Sequence, residues 1–285
     1  MKIVDTHAHL YFSQFDKDRD LSVKNAEKSG VKFQIQIGCD EISSLAALNL
    51  SKNYKNFYST LGLHPSEVLN IGKKTKFHKY QDFENYLPKA KNLDELIEIF
   101  EKIYLENKEK IVGFGETGFD FYHHKKSEIF ELQKKSFRAH LELSKKYNLA
   151  LIIHTRSARN ETLEFLNQNF TQKIKGVCHC FCEDLEFAKM ITEKLGLFLG
   201  IGGVATYKNS QNIREVIKKI PLEFLVTETD CPFLVPQNFS KKGIKRNEPK
   251  FLSEIIKLIA QEKNIQLEAC ADILFKNSKK LFVTI

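Results

Sequence analysis

Apolar and polar positions alternate along this chain in short runs, and each run is followed by a longer stretch with helical spacing. The first run, Lys2-Ile-Val-Asp-Thr-His-Ala-His-Leu10, reads as a strand because apolar and β-favouring residues lead straight into an alternating segment. Val31–Ile37 alternates strictly and stops at Gly38, and Phe57–Leu61 is a third strand ending at Gly62-Leu-His-Pro65. Ile111–Phe114, Leu149–Ile153, Gly176–Phe181, Leu197–Ile201 and Phe224–Asp230 supply five more. Between them lie segments of helical pattern: Phe12–Ser29, Ser43–Lys52, a face made by Leu93, Leu96, Ile97, Phe100, Ile103 and Tyr104, then Ser127–Tyr147 with Ser127 as its N-cap, and Ala158–Asn169. A helix closing at Gly196, another over Ile213–Ile220, and two C-terminal helices, the first with Pro249 near its start, complete the series. One long irregular piece, residues 66–91, follows strand three and predicts an insertion.

Eight strands alternating with helices predict an α/β fold, a (β/α)₈ TIM barrel formed as a single domain by residues 1–285, with a doubly wound sheet as the alternative. Length agrees, since 285 residues bury a substantial core in one large barrel. The 42% hydrophobic and 28% charged content excludes a disordered chain. No apolar run is long enough for a membrane span, and the N-terminus lacks the basic and apolar regions of a signal peptide. A cytoplasmic protein with no membrane association is therefore expected. The six cysteines, three of them in Cys178-His-Cys-Phe-Cys182, suit buried thiols in a reducing compartment rather than a disulfide framework. Alternation places those three opposite His179, toward the helix layer.

The strand ends change the picture from scaffold to chemistry. In Asp5-Thr-His-Ala-His9 the alternation puts Asp5, His7 and His9 on one face, with the two imidazoles about 7 Å apart. Taken singly, a strand-end histidine is more often a satisfied core or surface residue than a ligand. Here, however, His7, His9, His64, Glu116, His154, His179 and Asp230 all fall at C-terminal strand ends, where barrels carry function. His78, His123, His124 and His140 fall in loops or helices. Four imidazoles (His7, His9, His154, His179) and two carboxylates (Glu116, Asp230) exceed one tetrahedral ion and suit a two-metal cluster.

The set Asp5-Thr-His-Ala-His9, Gly62-Leu-His-Pro65, Gly115-Glu-Thr-Gly-Phe-Asp120, Ile153-His-Thr-Arg156, His179-Cys-Phe181, Gly202-Gly203 and Glu228-Thr-Asp-Cys-Pro232 resembles the TatD-type metal-dependent deoxyribonucleases, a branch of the amidohydrolase-like barrels. The likeness extends through Arg246-Asn-Glu-Pro249 to Asn277–Phe282. Cys182-Glu183 departs from it, standing where the family has small residues, and residues 66–91 are longer than in short members. The resemblance implies hydrolysis of DNA phosphodiester bonds, exonucleolytic, with metal-bound water as the nucleophile. It further implies one ion on His7, His9 and Asp230, a second on His154 and His179, Glu116 bridging both, and Asp230 as general base. A binuclear hydrolase of a small amide, ester or lactone is the alternative on the same barrel, because fold does not fix substrate. Two divalent ions are expected, with Mg²⁺, Mn²⁺ and Zn²⁺ all compatible with the ligand types.

Charge bears on the choice of substrate. The net charge is +8, and Lys241–Lys250 carries five bases against one acid. Arg156, His64, Arg246, Lys241 and Lys245 are candidate phosphate contacts, since arginine meets phosphate bidentately. Phe119, Phe121, Tyr122, Phe181 and Phe233 lie beside candidate ligands, where aromatic rings either stack on bases or fill the core. DNA is the expected partner, with RNA left open, and nothing calls for an obligate protein partner.

Overall fold

A computed structural model describes residues 1–74, 80, 82–122, 124–170 and 175–282. His78, His123 and part of the 66–91 insertion lie outside the described residues. In chain order the elements are β1 (Ile3–Ala8), α1 (Arg19–Lys28), β2 (Val31–Gln36), α2 (Glu41–Asn53), β3 (Phe57–Leu61), α3 (Leu93–Glu106), β4 (Ile111–Asp120), α4 (Lys126–Tyr147), β5 (Ala150–Arg156) and α5 (Arg159–Asn169). They continue as β6 (Gly176–Cys178), α6 (Leu185–Lys189), β7 (Phe198–Ile201), α7 (Gln211–Lys219), β8 (Leu225–Thr227), α8 (Gln237–Ser240), α9 (Leu252–Lys263) and α10 (Leu267–Leu281). The strand order is the sequence order, β1 to β8, which is the (β/α)₈ arrangement. The chain falls into two compact units, one of Met1–Ile35 with Cys178–Val283, the other of Gln36–Val177.

In the central unit, β3, β4 and β5 pair in parallel. Leu96, Phe100 and Tyr104 recur at helical spacing on α3 and pack with Leu61, Ile111, Phe114 and Ile129 in one buried cluster. Fully burying each such leucine, isoleucine or phenylalanine contributes about 1.5–3 kcal/mol, which holds the helices against the strands. The described part of the insertion carries a single 3₁₀ turn, Pro65–Glu67, and no α-helix or strand. Its far end is fastened by Glu41 at the start of α2, whose carboxylate accepts from Tyr86 Oη at 2.7 Å and from the amides of Lys89 and Ala90.

In the other unit, β7 and β8 pair in parallel and Ala8 bridges to Cys231. α9 and α10 pack on β8, and α10 also on β1. Ile255, Ile256 and Ile259 make the buried face of α9. Two strands are shorter than the sequence pattern predicts. β6 stops at Cys178 and β8 at Thr227, because Cys180 and Asp230 take left-handed backbone angles (φ 45° and 55°) that no strand accommodates.

Alternation therefore fails for the cysteines: Cys178 is buried, Cys180 half-buried and Cys182 exposed, and all six cysteines are free thiols. The α4 cap also differs, since the helix begins one residue before Ser127, at Lys126, without a side-chain cap. Pro249 instead opens a 3₁₀ turn that runs directly into α9. Among the described residues no helix is long and apolar enough to cross a membrane.

Candidate metal centre

Strand β1 delivers its histidines as the alternation requires, and both are buried. His7 Nε2 and His9 Nε2 lie 3.6 and 3.3 Å from one oxygen of Asp230. His9 Nδ1 is 3.1 Å from the Tyr11 hydroxyl, which leaves Nε2 as the atom directed at the carboxylate. The His179 ring stacks on His7 with centroids 3.9 Å apart. Burial pushes the Asp230 carboxyl up, but the hydrogen bond from His9 and the charges of His7, His9 and His179 outweigh it and hold the group below the ordinary carboxylate range.

Asp5, grouped with the histidines by sequence parity, does a different job. Its oxygens accept from the Thr229 amide (2.9 Å) and hydroxyl (2.6 Å), which fixes the turn leading to Asp230 beside β1. Burial raises its carboxyl to about 7 despite those hydrogen bonds. Glu228 is also buried; it accepts from the Cys180 amide and lies 3.6 Å from His179 Nδ1. Gly200 makes room for it, since a Cβ there would stand 2.2 Å from the Glu228 carboxylate.

The central unit carries a second cluster. The register of β4 against β5 shifts between Phe114 and Thr117, so Gly115 and Glu116 together oppose Ile152, a bulge that re-aims the Glu116 side chain. Gly118, at φ 139°, brings β4 against His154, where any Cβ would meet the His154 carbonyl at 2.1 Å. Glu116 Oε1 lies 2.8 Å from His154 Nδ1 and 3.5 Å from His64 Nε2. His154 Nε2 lies 3.0 Å from Asp120 Oδ2. Burial raises the Asp120 carboxyl, yet the His154 contact, the Tyr122 amide and the His64 charge bring it down to about 2. His64 Nδ1 accepts from the Ser66 amide at 3.1 Å, so in its neutral form the proton sits on Nε2. His64 is thereby a donor rather than a lone-pair ligand.

Both clusters suit a divalent cation. His7, His9 and Asp230 offer donor atoms within 4.8 Å of one another, and Glu116 and His154 do so in the second cluster, with His64 beside them as a proton donor. Both nitrogens of His154 face carboxylates, which is satisfied by a protonated imidazolium donating to both or by a cation on one nitrogen and a proton on the other. His154 Nδ1 and Glu116 would hold an ion here, with Nε2–H donating to Asp120, the carboxylate–histidine–metal pattern. Imidazole and carboxylate together match first-row divalent ions.

The remaining candidates differ in exposure and in the partners they have. Arg156 is exposed, with its guanidinium 3.8 Å over the ring of exposed Tyr122. Lys241, Lys242 and Lys245 are exposed. Arg246, counted with them from sequence, is engaged by its neighbours: it forks onto Asp18 at 2.7 and 2.6 Å, reaches Glu248 at 3.1 Å, and lies over Phe15. It anchors the basic loop. Phe119 and Phe181 are core residues, whereas Phe233 is exposed beside Phe12 and His9. Sequence reasoning gave no role to Asp120 or Glu228, although Asp120 stands four residues from Glu116 on β4, the even spacing that shares a strand face.

The family model for TatD related DNase matches residues 4–283. The chain is 33% identical over 280 residues, covering 98% of both chains, to the uncharacterized metal-dependent hydrolase YabD of Bacillus subtilis. It is 31% identical to an uncharacterized metal-dependent hydrolase of Mycoplasma genitalium, over 99% of each. Among solved structures it is similar to the TatD homologue YjjV of Escherichia coli, with a TM-score of 0.83, 26% identity and coverage of 99% and 98%. The barrel predicted from strand and helix alternation is the fold of these relatives, and this chain belongs to the TatD related family of metal-dependent hydrolases.

Proposed function

We propose that the protein is a metal-dependent nuclease that hydrolyses DNA phosphodiester bonds from strand ends. The observation that carries this reading is the exposed Arg156–Tyr122 pair, two residues beyond His154 on β5. A guanidinium that binds phosphate bidentately, stacked on a ring that a base can cover, suits a nucleic-acid strand better than a small ester or lactone. The exposed lysines of 241–245 and exposed Phe233 beside His9 add charge and a second stacking face.

Divalent ions, when bound, polarise a phosphoryl oxygen and acidify water. One would be held by His7, His9 and Asp230, the other by Glu116 and His154; His179, expected beside His154, is instead stacked on His7. Asp230 stays ionised among its imidazoles and so takes a proton from the attacking water at a carboxylate oxygen. His64 donates its Nε2 proton to a phosphoryl oxygen, since Nδ1 is occupied by the Ser66 amide. Asp120 keeps the His154 ring in one tautomer. Arg156 orients the neighbouring phosphate.

Purified protein, stripped of metal and reloaded with Mg²⁺, Mn²⁺ or Zn²⁺, should release mononucleotides from end-labelled single-stranded DNA. It should turn over generic esters, amides and lactones far more slowly. Faster turnover of a lactone or ester than of DNA would replace this reading with the small-molecule hydrolase.

A further inference from the structure

Helix α4 presents two polar side chains to the interior of its unit. Gln133 and His140 are wholly inaccessible to solvent and seven residues apart, so they share one helix face. Polar groups buried in this way are costly unless hydrogen-bonded. Gln133 Nε2 donates to the carbonyls of Pro65 and Asp120, each at 3.0 Å, and its Oε1 accepts from the Asp120 amide at 3.2 Å. His140 Nδ1 donates to the Ser136 carbonyl at 2.8 Å, and Nε2 accepts from the Leu63 amide at 3.2 Å. Every polar atom of both side chains is thus spent on backbone. Apart from Ser136, the recipients are Leu63 and Pro65, which flank His64, and Asp120, whose carboxylate holds His154 Nε2.

We propose that Gln133 and His140 are positioning residues for the Glu116–His154 cluster: together they set where the His64 turn and Asp120 stand, and through Asp120 which His154 nitrogen faces Glu116. Packing does not require them, because the same helix already buries Ile129, Phe137 and Leu141. Side chains bonded directly to a ligand, as Asp120 is to His154, commonly change metal affinity or activity roughly 10–100-fold when removed; Gln133 stands one contact further out, and a smaller, several-fold loss is expected for it. The inference rests on His154 and Glu116 holding an ion, and not on DNA being the substrate.

The test titrates Co²⁺ into apo-protein and follows its visible d–d absorption, alongside thermal melting, for wild type, Gln133→Met, His140→Met and His140→Gln. Gln133→Met should weaken binding at one site several-fold, less than the roughly 10–100-fold of a residue bonded directly to a ligand, and alter its absorption band, while the other site keeps its affinity. His140→Met should weaken the same site, and His140→Gln should restore it, because a glutamine oxygen can accept the Leu63 amide. Folded variants that bind Co²⁺ as wild type does would overturn the inference. Should Gln133→Met not fold, the His140 pair decides: equal affinities in His140→Met and His140→Gln would overturn it. Failure of wild-type protein to bind Co²⁺ at a second site would overturn the ion assignment itself, and this inference with it.

Discussion

His140 predicts how stability depends on pH. Its ring is wholly buried, accepts a backbone amide at Nε2 and donates from Nδ1, so the neutral form fills both bonds. Burial lowers its pKa from 6.5 to about 4, against the smaller raising effect of the Ser136 carbonyl. Below pH 6.5 the unfolded chain takes up a proton there that the folded chain refuses. The contribution of His140 is therefore fully present above pH 6.5 and is lost as pH falls toward about 4. With a folded pKa of about 4 and an unfolded value of 6.5, the loss reaches about 2 kcal/mol at pH 5 and approaches about 3 kcal/mol at lower pH. His140→Gln lacks the titrating group and should not share this part of the acid sensitivity. Urea unfolding of apo-protein at pH 7.5 and pH 5, for wild type and His140→Gln, isolates the difference because other titrating groups are common to both. A wild-type loss about 2 kcal/mol greater than the variant's is expected. Parallel losses would refute the burial of a neutral ring and the Leu63 hydrogen bond with it.

His7→Ala and His154→Ala should each lower metal content measured by elemental analysis, and a double variant with wild-type metal and activity would reject both ion assignments. Asp230→Asn keeps an oxygen for the ion but loses the proton acceptor, so kcat should fall by ~10²-fold or more while DNA affinity changes little; unchanged kcat with metal bound would move the base elsewhere. Neutralising Lys241, Lys242 and Lys245 together should flatten the log–log salt dependence of the Kd for single-stranded DNA by about two units, the value for three phosphate contacts. Parallel lines would make the loop a solvated surface.

The eight strands were legible because each carries an alternating or continuous apolar run bounded by glycine or a turn, and burial of those runs is what drives the fold. His7 and His9 were legible because a period of two places them on one face, and Glu116 because it follows a strand end, although the bulge that re-aims it leaves no mark in the pattern. The parts that were not legible depend on residues far apart in sequence. Asp120 reads as a strand-end acid until His154 is opposite it, and Glu228 as a neighbour of Asp230 until Gly200 makes space for its carboxylate. Gln133 and His140 look like ordinary helix residues, since their backbone partners come from the segment after β3 and from the last residue of β4. Arg246 reads as a candidate phosphate contact because Asp18 and Phe15, which engage it, lie some 230 positions earlier and no local pattern announces them. The cysteines were misjudged because alternation was extended past Cys178, where a left-handed turn ends the strand.

The central claim is that ions held by these two clusters act on a DNA phosphodiester. The most direct measurement is mononucleotide release from end-labelled single-stranded DNA as a function of metal equivalents bound per chain, starting from chelator-treated protein. No release from the metal-free protein is expected, with full activity only once two ions are bound per chain and a rate reduced ~10²-fold or more for Asp230→Asn at equal loading. DNA cleavage by metal-free protein, or a fully loaded protein that leaves DNA intact while hydrolysing a lactone or ester, would contradict it.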